Sequence, residues 1–342
     1  MLRAAWLGLI ATLAVIPAAH ADQPQSLAGR WFVTADYYGQ PLYVPMTLEQ
    51  KGDKLGGSFG RDPLDGSSNG ASFHFVATNA QGVRQQIDGT LAKGVLSGQV
   101  TVTMKDNPDP PSRFPFAAVP SPERPTTQPQ RHEFTPTVFY REFSALNKPV
   151  LTINPGDTVH TTTVDAGGRD EKGVQRIAGG NPQTGPFYVV SALPGDTLVV
   201  RLKRLRLNRD WADSDDAIVP RGLDGGLAVQ MKDGGKPVRW RLDRAKGLAS
   251  VEKPGEHMAS YTVPVRPMLG CIATAPNGQI PPTGDSGAFG GNMDFNEIVE
   301  GATVYLPVLV PGALLYLGDA HALQGDGEIN GNALETSMDV WM

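Results

Sequence analysis

Apolar and polar residues alternate in short runs along the first third of the chain. Between Gly29 and Lys105 the runs break at Gly, Asn or Asp, in the segments "GRWFVTADYYG", "PLYVPMTLEQKGD", "KLGGSFG", "ASFHFVATNAQG", "QQIDGTLAKG" and "VLSGQVTVTMKD". Alternation with a period of two, interrupted by turn residues, is typical of antiparallel strands. We therefore predict an N-terminal domain over residues 24–106, an antiparallel β meander of six or so strands that forms a small barrel or sandwich.

A proline-rich stretch follows this pattern. Eight prolines lie between Asn107 and Gln130, in "NPDPPSRFPFAAVPSPERPTTQPQ". Because proline stiffens an extended chain, we predict a linker over residues 107–130. A second domain would then cover residues 131–342, which agrees with a length that favours two domains.

The second domain repeats a short phrase before its apolar runs. Pro-Gly-Asp-Thr occurs in "NPGDTVHTTTVDA" from Asn154 and in "LPGDTLVVRLKRL" from Leu193. Each phrase predicts a turn that leads into a strand, and the 40 glycines and 29 prolines of the chain also favour a mainly β protein. The chain stops within the alternating pattern "ALETSMDVWM", so we expect a sequence truncated at its C-terminus, with a partner strand missing.

The first 21 residues have the pattern of a secretory signal. "MLRAAWLGLIATLAVIPAAHA" carries one cation, Arg3, then an apolar run of about a dozen residues and an A-x-A cleavage site. The run is shorter than the roughly 20 residues that a membrane helix needs. We therefore expect cleavage near Asp22, a periplasmic or secreted protein, and no membrane association after cleavage.

Composition narrows the classes of function. The formal net charge is −5 and the longest basic run is "RLKRLRLNR", which argues against nucleic acid as a partner. The single cysteine, Cys271, cannot form an intramolecular disulfide and lies in the apolar stretch "PMLGCIATAP". We predict that it is buried and inert.

One acidic stretch could bind a metal ion. "GDAHALQGDGE", Gly318 to Glu328, holds Asp319 and His321 two positions apart, which places them on one face of a strand. A hairpin-like return could bring Asp326 and Glu328 towards them, and such a mixed O/N set suits Zn²⁺ or a harder divalent ion. The competing interpretation is a plain turn with solvated acids, which spacing alone favours.

Two further acids stand beside glycines. Asp165 ends the β-pattern of "HTTTVDAGG" and Asp294 follows the double glycine of "GAFGGNMD". Glycine lets backbone approach a ligand closely. A turn after a strand explains Asp165 equally well, and a turn or helix cap explains Asp294.

Five motifs, in order, resemble the acetamidase/formamidase family. They are "NPQTGPFYVVSALPGDTL", "PMLGCIATAP", "GGNMD", "VYLPVLVPGALLYLGDAHALQGDGE" and "ALETSMD", and the resemblance covers roughly His132 to Met342. It implies a β-sandwich domain that hydrolyses the C–N bond of short linear amides, such as formamide and acetamide, to carboxylate and ammonia.

The resemblance also assigns roles. It implies a divalent metal, Zn²⁺ with Ca²⁺ as an alternative, a small amide substrate, and site residues of three kinds: metal ligands Asp165, Asp294, Asp319 and His321; the proton carrier Glu328; and the substrate-binding Thr184, Gly185 and Asn292. We also expect a homo-oligomer.

Departures from the family motivate other hypotheses. Phe289 stands where the family usually has histidine before "GGN", the family core continues past "ETSMD", and its members are often cytoplasmic. A catalytically impaired, exported binding protein that keeps the amidase fold is therefore the second hypothesis. A cupin-like metal oxygenase is the third, although the chain lacks a second histidine at suitable spacing.

Overall fold

The computed structural model describes residues 26–105, 109–219, 222–230 and 235–342. The expected signal, residues 1–21, lies outside the described residues. The chain divides into two compact units, one with residues up to 35 and 45–120, the other with residues 36–44 and 121–342. Among the described residues, no helix has the length and apolar character needed to cross a membrane.

The first unit is an eight-stranded antiparallel barrel in which each strand pairs with the next and the last pairs with the first. Its apolar side chains alternate with exposed ones because successive residues of a strand point to opposite sides. The prediction of an N-terminal antiparallel barrel or sandwich is therefore confirmed, with eight strands rather than six. The strands are β1 (Gly29–Tyr37), β2 (Gln40–Lys51), β3 (Lys54–Phe59), β4 (Asp62–Asn69), β5 (Ser72–Thr78), β6 (Arg84–Ala92), β7 (Val95–Thr103) and β8 (Ser112–Pro120).

The predicted linker over residues 107–130 is wrong where it overlaps β8. Phe114, Phe116 and Ala118 are buried, while the residues between them are exposed. Pro115 lies opposite Gln99 of β7, and the register with β1 includes Phe116 but not Pro115. The proline content concealed this strand, because prolines favour an extended, unpaired chain although the residues between them alternate between apolar and polar.

The second unit contains one short helix, α1 (Gly225–Gln230), and two 3-10 turns, Glu256–Met258 and Asp326–Glu328, among its described residues. Its strands are β9 (Arg131–Glu133), β10 (Leu151–Ile153), β11 (Thr158–Thr162), β12 (Gln183–Val189), β13 (Thr197–Arg201), β14 (Arg204–Leu207), β15 (Trp211–Asp215), β16 (Pro237–Asp243), β17 (Leu248–Val251), β18 (Val263–Pro264), β19 (Met268–Ala273), β20 (Ser286–Gly287), β21 (Gly290–Asn292), β22 (Thr303–Pro307), β23 (Leu315–His321), β24 (Glu335–Thr336) and β25 (Met338–Trp341).

Two sheets and a two-stranded ribbon, β13 with β22, make up this unit. The large sheet runs β18-β17-β16-β15-β24-β23-β19-β21-β20, with β12 also paired to β23 and β10 to β12; the small sheet runs β14-β25-β11-β9. Leu317 of β23 and Leu269 of β19 share one apolar core with Val159 of β11 and Val340 of β25. The predicted β-sandwich is confirmed, since both sheets contribute to a common core.

Strand β25 contains the C-terminal residues for which a missing partner strand was expected. It pairs with β11 on one side, where Trp341 lies opposite His160, and with β14 on the other, where Met338 lies opposite Leu207. Strand β25 therefore has a paired strand on each side, and the expected truncation stays a prediction.

Candidate functional site

Strand β23 places two of the predicted site residues in the interior. Asp319 and His321 are both buried, and Asp319 Oδ1 lies 3.3 Å from His321 Nε2. All seven residues of β23 are buried because the strand has neighbours on both sides in the middle of the large sheet. Polar side chains in such a position are costly unless they have partners or a ligand.

Glu335 joins them from the neighbouring strand. It lies directly opposite His321 in the β23–β24 register, and its Oε1 is 3.3 Å from His321 Nε2. We did not predict Glu335 as a site residue. Its signal was its place in the motif "ALETSMD", but only the strand pairing shows which residue it faces.

Asp294 and Glu328 reach the same histidine from loops. Their ligand atoms and that of His321 all lie within 4.8 Å of one another, and the same holds for Asp319, His321 and Glu335. We call these five residues the acidic cluster. The companion acid Asp326 belongs to neither group and accepts a hydrogen bond from Asn296 at 2.8 Å.

Three members of the acidic cluster have strained backbone. Asp319, Asp294 and Glu328 have φ values of 55°, 44° and 43°, in the left-handed region. Such conformations cost on the order of 1–3 kcal/mol each in a residue other than glycine, and they concentrate at functional sites. The fold therefore holds these three carboxylates in place at a cost in stability.

Gly270 leaves the space between the acids open. A methyl group built on its Cα would lie 2.4 Å from Asp319 Oδ2 and 2.6 Å from Asp294 Oδ1. Carboxylate oxygens on two sides thus surround a volume that any other residue at this position would fill. Gly270 lies on β19, the neighbour of β23, and was not predicted from the sequence.

Amide side chains orient the cluster from outside. Gln324 Nε2 donates to the Asp294 carbonyl at 2.5 Å, so its Oε1 faces His321 Nδ1 at 2.9 Å and accepts that N–H. This leaves His321 Nε2 pointing towards the acids. Asn181 Nδ2 donates to Asn292 Oδ1 at 2.7 Å, and Asn292 Nδ2 donates to Asp294 Oδ2 at 2.8 Å. Asn292 thus holds the Asp294 carboxylate, and its role in substrate binding stays a prediction.

The electrostatics follow from crowding and burial. Burial raises the pKa of Asp294 to about 8, and the charges of Asp319 and Glu328 add to the shift. Burial also raises the pKa values of Glu328 and Glu335. Burial alone would lower the pKa of His321, but the carboxylates of Glu335 and Asp319 hold it well above its usual value.

The cluster has the donors that a divalent cation requires. Three buried atoms, Asp294 Oδ1, His321 Nε2 and Glu335 Oε2, make no hydrogen bond in the described structure. Carboxylates with one imidazole form a mixed O/N donor set, and a ligating histidine commonly donates its other N–H to an oxygen such as that of Gln324. Together with the space above Gly270, the residues present fit a divalent ion.

The structure does not bring Asp165 into the cluster. Its Oδ2 lies 2.8 Å from Nη1 of Arg209, and its Oδ1 accepts the Arg169 backbone N–H at 2.8 Å. Because an arginine already balances this carboxylate, Asp165 belongs to neither group of potential metal ligands. Sequence analysis could not detect this, since Arg209 is 44 positions away.

Four further positions named from the sequence, Thr184, Gly185, Phe289 and Cys271, are buried, and the predicted role of Thr184 and Gly185 in substrate binding stays a prediction. Thr184 is buried on β12 and its Oγ1 donates to the Thr162 carbonyl at 2.8 Å; Gly185 has φ of 121° and contacts the backbone of Leu315 too closely for a side chain. Phe289 is buried, with its ring 5.4 Å from that of Phe143. Cys271 is fully buried, as predicted, and burial raises the pKa of its thiol well above the usual value.

Comparisons with known proteins agree with this architecture. A family model described as "Acetamidase/Formamidase family" matches residues 280–342. A candidate formamidase of Schizosaccharomyces pombe is 56% identical over 41 residues, which is 12% of this chain and 10% of that protein. The alignment thus spans only a tenth of the length of that curated relative.

Two solved structures are similar over longer stretches. A predicted acetamidase/formamidase of Thermoanaerobacter tengcongensis is 31% identical, with a TM-score of 0.51, over 63% of this chain and 68% of the other. The acetamidase of Bacillus halodurans is 29% identical, with a TM-score of 0.50, over 61% and 68%. All five residues of the acidic cluster lie in the segment that the family model matches.

Proposed function

Because the chain belongs to the acetamidase/formamidase family, we propose that it hydrolyses the C–N bond of linear amides. Water adds its oxygen to the carbonyl carbon, the C–N bond breaks, and both protons of the water pass to the nitrogen, so that the products are a carboxylate and ammonia in its protonated form, ammonium. The observation that carries the proposal is the acidic cluster, whose buried atoms lack partners and surround the open space above Gly270.

Asp319, His321 and Glu335 would hold a divalent cation, with Asp294 as a further ligand. They fit because their ligand atoms converge and His321 Nδ1 is fixed by Gln324. A bound cation would supply Lewis-acid polarisation of the amide carbonyl. Zn²⁺ is our first choice, and Ca²⁺ the alternative.

Glu328 would move the proton. Burial raises the pKa of the Glu328 carboxyl from its ordinary value towards neutral pH. A group whose pKa lies near the working pH both accepts and releases a proton efficiently. Glu328 ends the 3-10 turn Asp326–Glu328, lines a cavity, and is less buried than Asp319 and His321. In this role its carboxylate accepts a proton from the attacking water and passes it to the departing nitrogen.

Ammonia release tests the proposal. The full chain, supplied with Zn²⁺, Ca²⁺ or Mn²⁺, is incubated with formamide, acetamide and propionamide, with and without chelator. We expect release that the chelator abolishes and that Glu328→Gln lowers by about 100-fold or more. The control Glu297→Gln changes an exposed carboxylate paired with Arg266, and its activity should match the wild type. Absence of release from every amide and cation would refute the function.

A binding protein that keeps the cation but not the catalysis is the second candidate. The observation that favours it is Phe289, which packs on Phe143 where the resemblance implies a histidine. Stoichiometric cation binding that depends on His321, without turnover of any amide, would support this candidate over the first.

A further inference from the structure

Two cavities are lined in part by residues of the acidic cluster. One of about 200 Å³ is lined by Glu328 and Gln324. The other, of about 490 Å³, is lined by Glu335. Ser214 and Asn332 line both. The cluster therefore has two approaches, and their walls differ in chemistry.

The smaller cavity, which we call the aromatic cavity, has aromatic and aliphatic side chains on one part of its wall, and Asp326, Glu328 and amide side chains on the rest. Trp240 and Tyr261 line it with their ring centroids 6.4 Å apart, together with Val263, Leu323 and Leu334. The indole Nε1 of Trp240 donates to Ser214 Oγ at 2.9 Å, so the polar atom of this side chain is already satisfied. What Trp240 offers to a ligand is therefore its apolar ring.

Charged side chains line the larger cavity. Arg239 and Asp213 form an ion pair at its wall, with Nε 2.5 Å from Oδ1, and Arg169, Asp165 and Asp215 also line it. Charged walls are unfavourable surroundings for an apolar group, because the charges would lose water without gaining a partner. This side suits water and ammonia.

We propose that the aromatic cavity binds the acyl group of the substrate, so that the preferred amides carry an apolar acyl group larger than formyl or acetyl. This inference rests on the proposed amide hydrolysis. Three observations support it: Glu328 and Gln324 line the cavity, its wall includes two aromatic rings and several aliphatic side chains, and arginine and aspartate side chains line the larger cavity without any aromatic ring. Its volume equals that of roughly seven waters in the liquid, more than the three heavy atoms of formamide occupy.

Relative rates on an amide series test the proposal. For formamide, acetamide, butyramide and benzamide we expect kcat/KM to rise with acyl size, by about tenfold or more for the groups that fill the cavity. Hydrolysis of formamide and acetamide with no gain for the larger amides would overturn this inference and leave the proposed function standing. Absence of hydrolysis for the whole series would refute the proposed function.

Variants of the cavity wall separate binding from folding. Trp240→Ala should lower kcat/KM for benzamide by about 10- to 100-fold, mainly through KM, and that for acetamide by less than about threefold. Trp240→Phe should restore most of the loss. Tyr261→Ser, which removes a 45% exposed ring outside the strands, should lower kcat/KM for benzamide more than that for acetamide. Tyr305→Ser removes an exposed aromatic of β22 that lines neither cavity and serves as the control.

Binding of the acid product tests the cavity without turnover. Benzoate titrated into the cation-loaded protein by calorimetry should bind more tightly than formate, by about tenfold or more. The difference should disappear in Trp240→Ala and persist in Tyr305→Ser. Equal affinities for benzoate and formate in the wild type would overturn the assignment, whatever the catalytic result.

Discussion

Asp165 and the acidic cluster both place carboxylates in the interior of the second unit, but their charges are balanced in different ways. Asp165 is 3% exposed and faces Arg209, which is also 3% exposed. In the cluster, four carboxylates share one imidazole, and buried oxygens of Asp294 and Glu335 remain without partners. The first carboxylate is neutralised by the chain itself, whereas the second set lacks sufficient positive charge.

This difference separates a structural carboxylate from a functional one. Removing a charge from water costs several kcal/mol per ion, and a fold recovers that cost only through close partners. Arg209 is such a partner, and five hydrogen-bonding or ionic contacts fix its guanidinium. In the acidic cluster the described residues do not supply enough positive charge to balance the carboxylates. This is the physical reason for expecting a bound cation there.

The two regions are also connected. Arg209 Nη2 donates to the Glu335 carbonyl at 3.2 Å, and Nε donates to Thr336 Oγ1 at 3.1 Å. Both acceptors belong to the two-residue strand β24, which carries Glu335 to its place opposite His321. The ion pair of Asp165 and Arg209 thus positions one member of the cluster.

The largest effect should be a loss of stability when the positive charge that balances Asp165 is removed. Arg209→Met leaves a buried, unpaired carboxylate, so we expect the free energy of unfolding to fall by about 3–5 kcal/mol, as measured in urea. Arg266→Met, which breaks an exposed pair with Glu297, should cost no more than about 1 kcal/mol. Equal losses in the two variants would show that Asp165 does not depend on Arg209.

The next effect concerns the space within the acidic cluster. Gly270→Ala places a methyl 2.4 Å from Asp319 Oδ2, so we expect cation affinity to fall by about 100-fold, the upper end for changes around a metal site. Calorimetric titration with Zn²⁺ measures it. Gly284→Ala, whose methyl meets no atom within 4 Å, is the control. Unchanged affinity in Gly270→Ala would place the cation elsewhere.

The smallest effect is a difference in the pH dependence of stability. The folded pKa of Asp294 is about 8 against an ordinary 3.8, so the metal-free protein binds an extra proton between these values and loses stability as the pH rises through them. The slope for one proton is about 1.4 kcal/mol per pH unit. Urea unfolding of wild type and Asp294→Asn in chelator, from pH 4.5 to 8, should show a flatter slope in the variant.

Asp157 provides a control of opposite sign for this measurement. Burial would raise its pKa, but hydrogen bonds from the backbone of Gln130 and Asn154, and from His132, lower it overall. Its contribution to stability is therefore full above about pH 3.8 and is lost only as the pH falls below that value. Asp157→Asn should leave the slope above pH 4.5 unchanged, and a slope altered as in Asp294→Asn would contradict the assignment.

Local patterns sufficed for part of the site. Asp319 and His321 lie on one face of a strand because residues two apart share a face, a relation that holds in any strand. The nearby Glu328 could be named from the same stretch. Glu335 could not, because its role depends on the β23–β24 register, which places it opposite His321 across 14 positions of sequence.

The wrong predictions for Asp165 and for residues 112–120 also depend on contacts between residues that are far apart in the sequence. Asp165 beside two glycines has the local appearance of a ligand, and nothing near it in the chain indicates that Arg209 will reach it. In the barrel, the alternation of Phe114, Phe116 and Ala118 was present in the predicted linker, but the prolines around it favoured an unpaired chain. Only the closure of the barrel, in which β8 pairs with β1, shows that this segment is needed as a strand.

The amino-acid sequence alone determined the class of the protein: short strands from period-two alternation, turns at Pro-Gly-Asp, a buried cysteine and the motifs of an amidase family. These properties depend on neighbours within a few residues, which the order of the chain specifies. Tertiary structure decided which acids share a charge with an arginine and which remain in need of a cation. Electrostatic compensation depends on distances of a few ångströms between residues remote in the chain, and only the packed sheets establish those distances.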